Sequence, residues 1–165
     1  MKSKNLIGII IVLVIAIGVV WLAKPNGENN TKNQIAAVSQ ALKNLDGDFD
    51  FGEISMAAGK VSRSVIIQNT GPEPVIISKI YTSCMCTTAK LIMDNDSYFG
   101  PYGMPGHGFT PAINKTIPSG AEATIEVVFD PAAHGPAGIG LIEREIYIEN
   151  SVGLLTFGFK ATVKP

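Results

Sequence analysis

The stretch AEATIEVVFD, residues 121–130, decides the fold class of this chain. Every second residue is apolar and would point inward: Ala123, Ile125, Val127 and Phe129. A period of two is what a β-strand with one buried face requires, because successive side chains point to opposite faces. The stretch LLTFGFKATV, residues 154–163, repeats the alternation and predicts a second strand of the same kind.

Five further runs after residue 48 have the same apolar, strand-like character, and turn-forming residues separate them. They are residues 49–54, 60–69, 74–82, 86–93 and 141–150. No helical period occurs among them. We therefore predict that residues 48–165 form an all-β domain, an immunoglobulin-like antiparallel β-sandwich of about seven strands.

The N-terminal part differs in kind. Residues 6–23, LIGIIIVLVIAIGVVWLA, are uncharged, and as a helix they would cover roughly 27 Å, about the hydrocarbon core of a bilayer. Trp21 stands where a signal peptidase would need a small residue, so we predict an uncleaved transmembrane anchor. Lys2 and Lys4 then hold residues 1–5 in the cytoplasm and place the rest outside the cell membrane, in the periplasm or at the cell surface.

Residues 24–47 are predicted to be a tether that contains a short helix. Residues 24–33 are polar and contain Pro and Gly, which is typical of a flexible linker. In residues 33–45 the apolar residues recur at helical spacing on one face: Ile35, Val38, Leu42 and Leu45. This pattern predicts a short amphipathic helix before the sandwich.

Charge and motifs exclude several classes of function. Of 13 basic residues, Lys2 and Lys4 precede the span, so the remainder faces 14 acidic residues and the exported part is acidic. A nucleic-acid partner would need a basic face, and none is predicted. The sequence has no phosphate-binding loop, dinucleotide fingerprint or serine-hydrolase elbow. We therefore predict a binding protein that is not an enzyme.

An ordered set of motifs resembles a known family. FDFGEI is followed by the pattern G-K-V-x-x-x-V-x-I-x-N-T-G-x-x-P, then by TSCMCT, then by IPSGAEATIEVVFDP. This order resembles the bacterial immunoglobulin-like domain-of-unknown-function family 1573, which is similar to Hydin-type domains. Members usually carry Ser-Cys-Gly-Cys-Thr, and Met85 replaces the glycine here. The resemblance implies the fold and no settled activity.

Cys84 and Cys86 are the only cysteines, and they stand one residue apart. In an extended strand both sulfurs would point to one face, which suits a shared soft metal ion such as Cu(I). A disulfide between them requires a bend, and such a bond would suit thiol–disulfide exchange more than structural cross-linking. Cysteine is also among the most buried residue types, so an inert pair inside the core is a further alternative.

Other candidate ligands lie in a long segment, residues 94–113, which we predict to be a loop. Met104 and His107 stand three residues apart there, and thioether and imidazole both bind copper. If the strands run up and down in order, however, the connection with His134 lies at the same end as the cysteines, and so does Met56. Our predicted ligand set is Cys84, Cys86, Met104 and His107, with His134 interpreted as a turn residue.

Three hypotheses about function follow. The first is a membrane-anchored extracytoplasmic binding module that holds copper(I) at these ligands. The second is an adhesion or assembly module that contacts an envelope protein through its sheet edges and the segment 94–113, with structural cysteines. The third is a thiol–disulfide redox protein.

Overall fold

The computed structural model describes residues 41–94, 97–107 and 110–165, and these residues form two five-stranded β-sheets. In chain order the strands are β1 (Leu42–Asn44), β2 (Phe49–Ser55), β3 (Val61–Asn69), β4 (Val75–Thr82), β5 (Thr87–Ile92), β6 (Tyr98–Tyr102), β7 (Lys115–Ile117), β8 (Glu122–Phe129), β9 (Gly140–Asn150) and β10 (Gly153–Lys164). Sheet 1 has the order β1-β3-β8-β5-β6 and sheet 2 the order β2-β10-β9-β4-β7. Neighbouring strands are antiparallel except β2 and β10, which are parallel. The predicted all-β sandwich is confirmed. The described residues form ten strands where about seven were predicted, and the parallel pair corrects the prediction of a purely antiparallel sandwich.

The alternating residues of the two sheets face each other and form the core. On β8 the four residues that alternation placed inside are all buried, and on β10 the same phase is buried from Phe157 to Val163. Aromatic rings join the sheets, because Phe129 of β8 lies 5.4 Å from Phe159 of β10 between ring centroids and 6.4 Å from Phe51 of β2. Burial of these faces is the main source of stability.

All seven predicted runs form strands, and three strands were not predicted. The first, β1, corrects the predicted helix at its end, because Leu42–Asn44 is extended and pairs antiparallel with β3 over residues 67–69. The helical spacing predicted that Leu42 and Leu45 share one buried face, but Leu42 is buried while Leu45 is 49% exposed. The remainder of that helix and the predicted anchor, residues 6–23, lie outside the described residues.

The predicted long loop, residues 94–113, is corrected in the same way. It contains β6, which pairs with β5 and forms an edge of sheet 1. Tyr102 at the end of β6 is buried, and so is Ile113, whose N–H donates to the carbonyl of Ser78 at 2.9 Å. Backbone pairing and two apolar anchors therefore hold a segment whose glycines and prolines indicate a loop. Among the described residues no helix has the length and apolar character needed to cross a membrane.

The motif Asn69-Thr70-Gly71 closes the connection between β3 and β4. The buried amide of Asn69 donates to the carbonyls of Glu73 and Ile117 at 2.8 and 3.0 Å. Its oxygen accepts from the N–H of Gly71 at 3.0 Å. Gly71 is required for space, since a Cβ there would lie 2.8 Å from the Cβ of Ala41. A side chain of sheet 1 thus satisfies backbone groups of the connection and of β7 in sheet 2.

Three connections between the sheets meet at one end of the sandwich. They join β2 to β3, β4 to β5 and β8 to β9. The register shows that these ends coincide, because Val61 and Thr87 both pair with Phe129. This end carries Met56, the two cysteines and His134. The prediction that His134 lies at the same end of the sandwich as the cysteines is therefore confirmed.

Candidate functional site

The cysteine pair occupies the turn in which the chain leaves sheet 2 and enters sheet 1. The N–H of Thr87 donates to the carbonyl of Cys84 at 3.1 Å and closes the turn. The bend reduces the Cα–Cα separation of Cys84 and Cys86 to 5.3 Å, compared with roughly 6.6 Å for residues two apart in an extended strand. The two residues are joined by a disulfide in the structure. The sequence required a bend for this bond, and the bend is present.

Both sheets hold this turn in place. On the side of sheet 2, Ser83 and Glu145 of β9 exchange two hydrogen bonds, from the N–H of Ser83 to the carbonyl of Glu145 at 3.0 Å and from the N–H of Glu145 to the Ser83 hydroxyl at 2.9 Å. On the side of sheet 1, the carbonyl of Cys86 accepts from the N–H of Asp130 at 2.8 Å. The buried Thr82 hydroxyl lies 3.0 Å from the carbonyl of Cys84. The sulfurs are therefore positioned by rigid elements.

His134 comes to the sulfurs from the connection between β8 and β9. Its Nε2 lies 3.1 Å from Cys84 Sγ. The connection is tight, because Gly135 has a φ of 55° and donates its N–H to the carbonyl of Ala132 at 2.9 Å. One ligand atom each of Cys84, Cys86 and His134 lie within 4.8 Å of one another. This is a geometry that one metal ion can bridge once the sulfurs are separate.

Arg144 approaches the second sulfur from β9. Its Nε donates to Cys86 Sγ at 3.3 Å, and its Nη1 donates to the carbonyl of Glu143 at 2.7 Å. Among the residues described, no carboxylate lies within 4.0 Å of its guanidinium. A partly buried cation normally has an anionic partner, so the guanidinium is placed to stabilise a thiolate at Cys86.

Exposure differs between the two sulfur residues. Cys84 is 8% exposed and Cys86 3%, while Met85 between them is 49% exposed. His134, beside Cys84, is exposed as well. A reagent from solvent therefore reaches the pair on the side of Cys84.

The predicted ligands fall into two groups. Cys84 and Cys86 lie together, as expected, and the third ligand atom near them belongs to His134. Met104 and His107 lie in a separate turn after β6, where the N–H of His107 donates to the carbonyl of Met104 at 3.2 Å. That turn is near the same end, since Gly103 accepts from the N–H of Thr82 at 3.2 Å, yet His107 is not in the group that meets at the sulfurs.

Met56 lies beside the connection that carries His134. Its Cε is 4.0 Å from the position that a Cβ on Gly138 would occupy. That position is also 3.3 Å from the Cβ of His134, so the glycine permits the connection to pack closely. The connection between β2 and β3 therefore packs near the connection between β8 and β9.

Arg144 was missed by the sequence analysis, although the strand pattern contains a signal for it. On β9 the inward-facing positions include Ile142, Ile146 and Ile148, all buried, and Arg144 occupies the same phase. A charged residue at an inward-facing position of an otherwise apolar face needs a partner. That exception to the alternation could have identified Arg144 as a candidate site residue.

Residues 42–95 match the model of the family described as "Protein of unknown function (DUF1573)". This range contains the first five strands and the cysteine turn. No curated protein matches the chain.

The fold is similar to that of solved structures at low identity. A protein of unknown function from Porphyromonas gingivalis W83 aligns with a TM-score of 0.53 and 17% identity, over 74% of this chain and 46% of that chain. The chain thus spans about half of that structure, and the likeness shows the fold alone. The ASH / PapD-like domain of human CEP192 aligns with a TM-score of 0.45 and 13% identity, over 77% of this chain and 87% of that domain. The Pseudomonas aeruginosa CupB2 chaperone aligns with a TM-score of 0.40 and 10% identity, over 73% and 55%.

Proposed function

We propose that this chain is a membrane-anchored extracytoplasmic binding module that holds Cu(I) between Cys84, Cys86 and His134 when the two thiols are reduced. The observation that carries the proposal is the meeting of two sulfurs and an imidazole nitrogen within 4.8 Å. Ligand atoms bonded to one ion at ~2.0–2.3 Å each lie no more than ~4.6 Å apart. Small side-chain rotations suffice to reach that spacing after the disulfide is reduced.

The chemistry of these ligands favours a soft monovalent ion. Thiolates select Cu(I), and imidazole is a compatible third ligand. Two thiolates and one Cu(I) ion leave a single negative charge, which the guanidinium of Arg144, 3.3 Å from Cys86 Sγ, offsets. With a divalent ion the two thiolates would be fully neutralised, and the positive charge of Arg144 would have no counter-charge. In this proposal His134 replaces Met104 and His107 of the sequence-based set.

The sequence supports the location of the module. Residues 6–23 have the length and composition of a membrane span, and Lys2 and Lys4 orient it with the sandwich outside. Protease added to intact cells or spheroplasts would degrade the sandwich if this orientation holds, while the stub of residues 1–5 stays protected. The module acts by binding and not by catalysis.

A competition titration tests the copper site. The full chain in detergent micelles, kept anaerobic with a phosphine reductant, competes with a chromogenic Cu(I) chelator. Replacing a ligand should cost at least the roughly 10- to 100-fold in affinity that loss of an outer-shell partner costs. We expect that loss for His134→Ala and for the double variant Cys84→Ser, Cys86→Ser.

His107→Ala is the matched control, because it removes the other histidine of the chain. We expect it to bind Cu(I) like the parent chain. Loss of affinity in His107→Ala with none in His134→Ala would restore the sequence-based ligand set. Parent-like binding by the double cysteine variant would remove the copper proposal altogether.

A second proposal, protein-partner binding, has one observation in its favour. Tyr98 is 67% exposed on β6, an edge strand of sheet 1, and an unpaired edge can accept a strand or an aromatic contact from a partner. Deletion of residues 94–113 would not test this, because it would remove β6 and the buried Tyr102 and Ile113. Tyr98→Ser is the informative variant. It should abolish the co-purification of a specific envelope protein that the double cysteine variant retains.

A further inference from the structure

We infer that the Cys84–Cys86 disulfide exchanges with a dithiol partner, with Cys84 as the sulfur that is attacked and Cys86 as the leaving thiolate. This activity goes beyond the proposed binding function and needs no metal. The partner is a molecule with two neighbouring thiols, such as a reduced cysteine pair of another protein. The partner's dithiol becomes a disulfide, and the two electrons and two protons pass to Cys84 and Cys86.

Access selects the sulfur that is attacked. Cys84 is 8% exposed and Cys86 3%, and the exposed His134 lies beside Cys84, with its Nε2 3.1 Å from Cys84 Sγ. A partner thiolate attacks Cys84 Sγ, a partner–Cys84 bond forms, and the Cys84–Cys86 bond breaks. Exchange rates depend on which sulfur is reached and on how well the other sulfur leaves.

Arg144 stabilises the leaving group. Its Nε lies 3.3 Å from Cys86 Sγ, and in the described parts of the chain no carboxylate lies within 4.0 Å to compete for its charge. The hydroxyl of Thr87 is a further polar neighbour of Cys86 Sγ at 3.6 Å. The hydrogen bond from the guanidinium is stronger to a thiolate than to the neutral disulfide sulfur, because both partners are then charged, and this difference favours reduction.

The second step releases the partner. The partner's other thiolate attacks its own sulfur in the mixed disulfide, the partner closes to a disulfide, and Cys84 leaves. Two donors face Cys84 Sγ as it gains charge: the N–H of Cys86 at 3.3 Å and His134 Nε2 at 3.1 Å when that nitrogen carries a proton. The Cys84 thiolate then takes up a proton from solvent.

The first test identifies the attacked sulfur in the parent chain. Full-length protein in detergent, with a metal chelator present, is mixed with one equivalent of reduced glutathione, quenched with acid and mapped by mass spectrometry. We expect glutathione on Cys84. Glutathione chiefly on Cys86, or a Cys84–Cys86 disulfide that stays intact in a large excess of glutathione, would overturn the inference.

The second test measures the role of Arg144. The chain is equilibrated in buffers of reduced and oxidised dithiothreitol, and the reduced fraction is counted after alkylation. Arg144→Gln should lower the equilibrium constant for reduction about tenfold, which is about 30 mV for a two-electron couple. Arg63→Gln, which changes an arginine that lies over the ring of Phe49, should leave it unchanged. Equal constants for the parent and Arg144→Gln would refute the leaving-group role.

Both tests are independent of copper. Since a chelator is present, exchange at Cys84 is expected even where the chain fails to retain Cu(I). Conversely, tight copper binding by a chain whose disulfide does not exchange would support the binding function and refute this inference. Parent-like circular dichroism of each variant shows that its effect is not a loss of fold.

Discussion

The side-chain amide of Asn69 joins the two sheets, and its removal tests the account of the fold. Asn69 has no exposed surface, and its amide and oxygen make three hydrogen bonds to backbone groups of Gly71, Glu73 and Ile117. In Asn69→Ala all three backbone groups lose this partner. Each neutral hydrogen bond contributes about 1 kcal/mol net, and a buried group left without a partner costs about 1–3 kcal/mol.

The sum is a loss of about 3–5 kcal/mol in the free energy of unfolding: about 1 kcal/mol each for the groups of Gly71 and Glu73, and about 1–3 kcal/mol for the buried carbonyl of Ile117. In urea, with a slope of about 1.5 kcal/mol/M, the midpoint should fall by about 2–3 M. The assay is equilibrium unfolding of the full chain followed by far-ultraviolet circular dichroism, which reports the β-sheets.

Gln68 provides the control next to it. Its amide makes two longer contacts, both 3.3 Å, to the carbonyl of Gly120 and the carboxylate of Glu122 at the surface. Gln68→Ala should therefore cost less than about 1 kcal/mol. A loss in Asn69→Ala no larger than that of Gln68→Ala would refute the argument that the buried amide links the sheets.

Three further predictions use the same unfolding assay. Gly71→Ala places a Cβ 2.8 Å from the Cβ of Ala41 and should cost about 1–3 kcal/mol, and an unchanged midpoint would contradict the close approach. The double variant Cys84→Ser, Cys86→Ser should lose no more than about 1.6 kcal/mol in the free energy of unfolding, because a disulfide between residues two apart restricts the unfolded chain only slightly. A loss above about 3 kcal/mol would show that the disulfide has a structural role. Burial raises the pKa of Tyr102 above its ordinary value. The contribution of its neutral hydroxyl to the free energy of unfolding is therefore complete below pH ~10, and it is lost as the pH rises through the higher pKa of the folded state. Tyr102→Phe should therefore lose less stability than the parent between pH ~9 and ~11, and identical pH profiles would show that this tyrosine is not responsible.

Alternation predicted the strands that build the core, and it failed for short strands at the edges. Two of the missed strands, β1 and β7, have three residues each, too few for a period of two to be visible. The third, β6, contains Gly100 and Pro101, which normally indicate a turn. These three strands exist because a neighbouring strand offers unpaired backbone groups, which is information that their own residues do not contain.

The site was predictable in part. The spacing of Cys84 and Cys86 identified the pair, and strand order placed His134 at the same end. His107, the histidine that we predicted as a ligand, is not in the group that meets at the sulfurs, because the segment after β5 turns back as β6 and ends in its own turn. Distances of 3.1 and 3.3 Å to His134 and Arg144 depend on crossovers between the sheets, which periodicity does not determine.

X-ray absorption at the copper edge tests the proposed site most directly. The reduced full chain is loaded with one equivalent of Cu(I) under anaerobic conditions, desalted and measured beside His134→Ala. The proposal predicts retained copper with two sulfur neighbours and one nitrogen neighbour at about 2.0–2.3 Å, and no nitrogen neighbour in the variant. A chain that retains no copper after desalting, or a nitrogen neighbour that persists in His134→Ala, would contradict it.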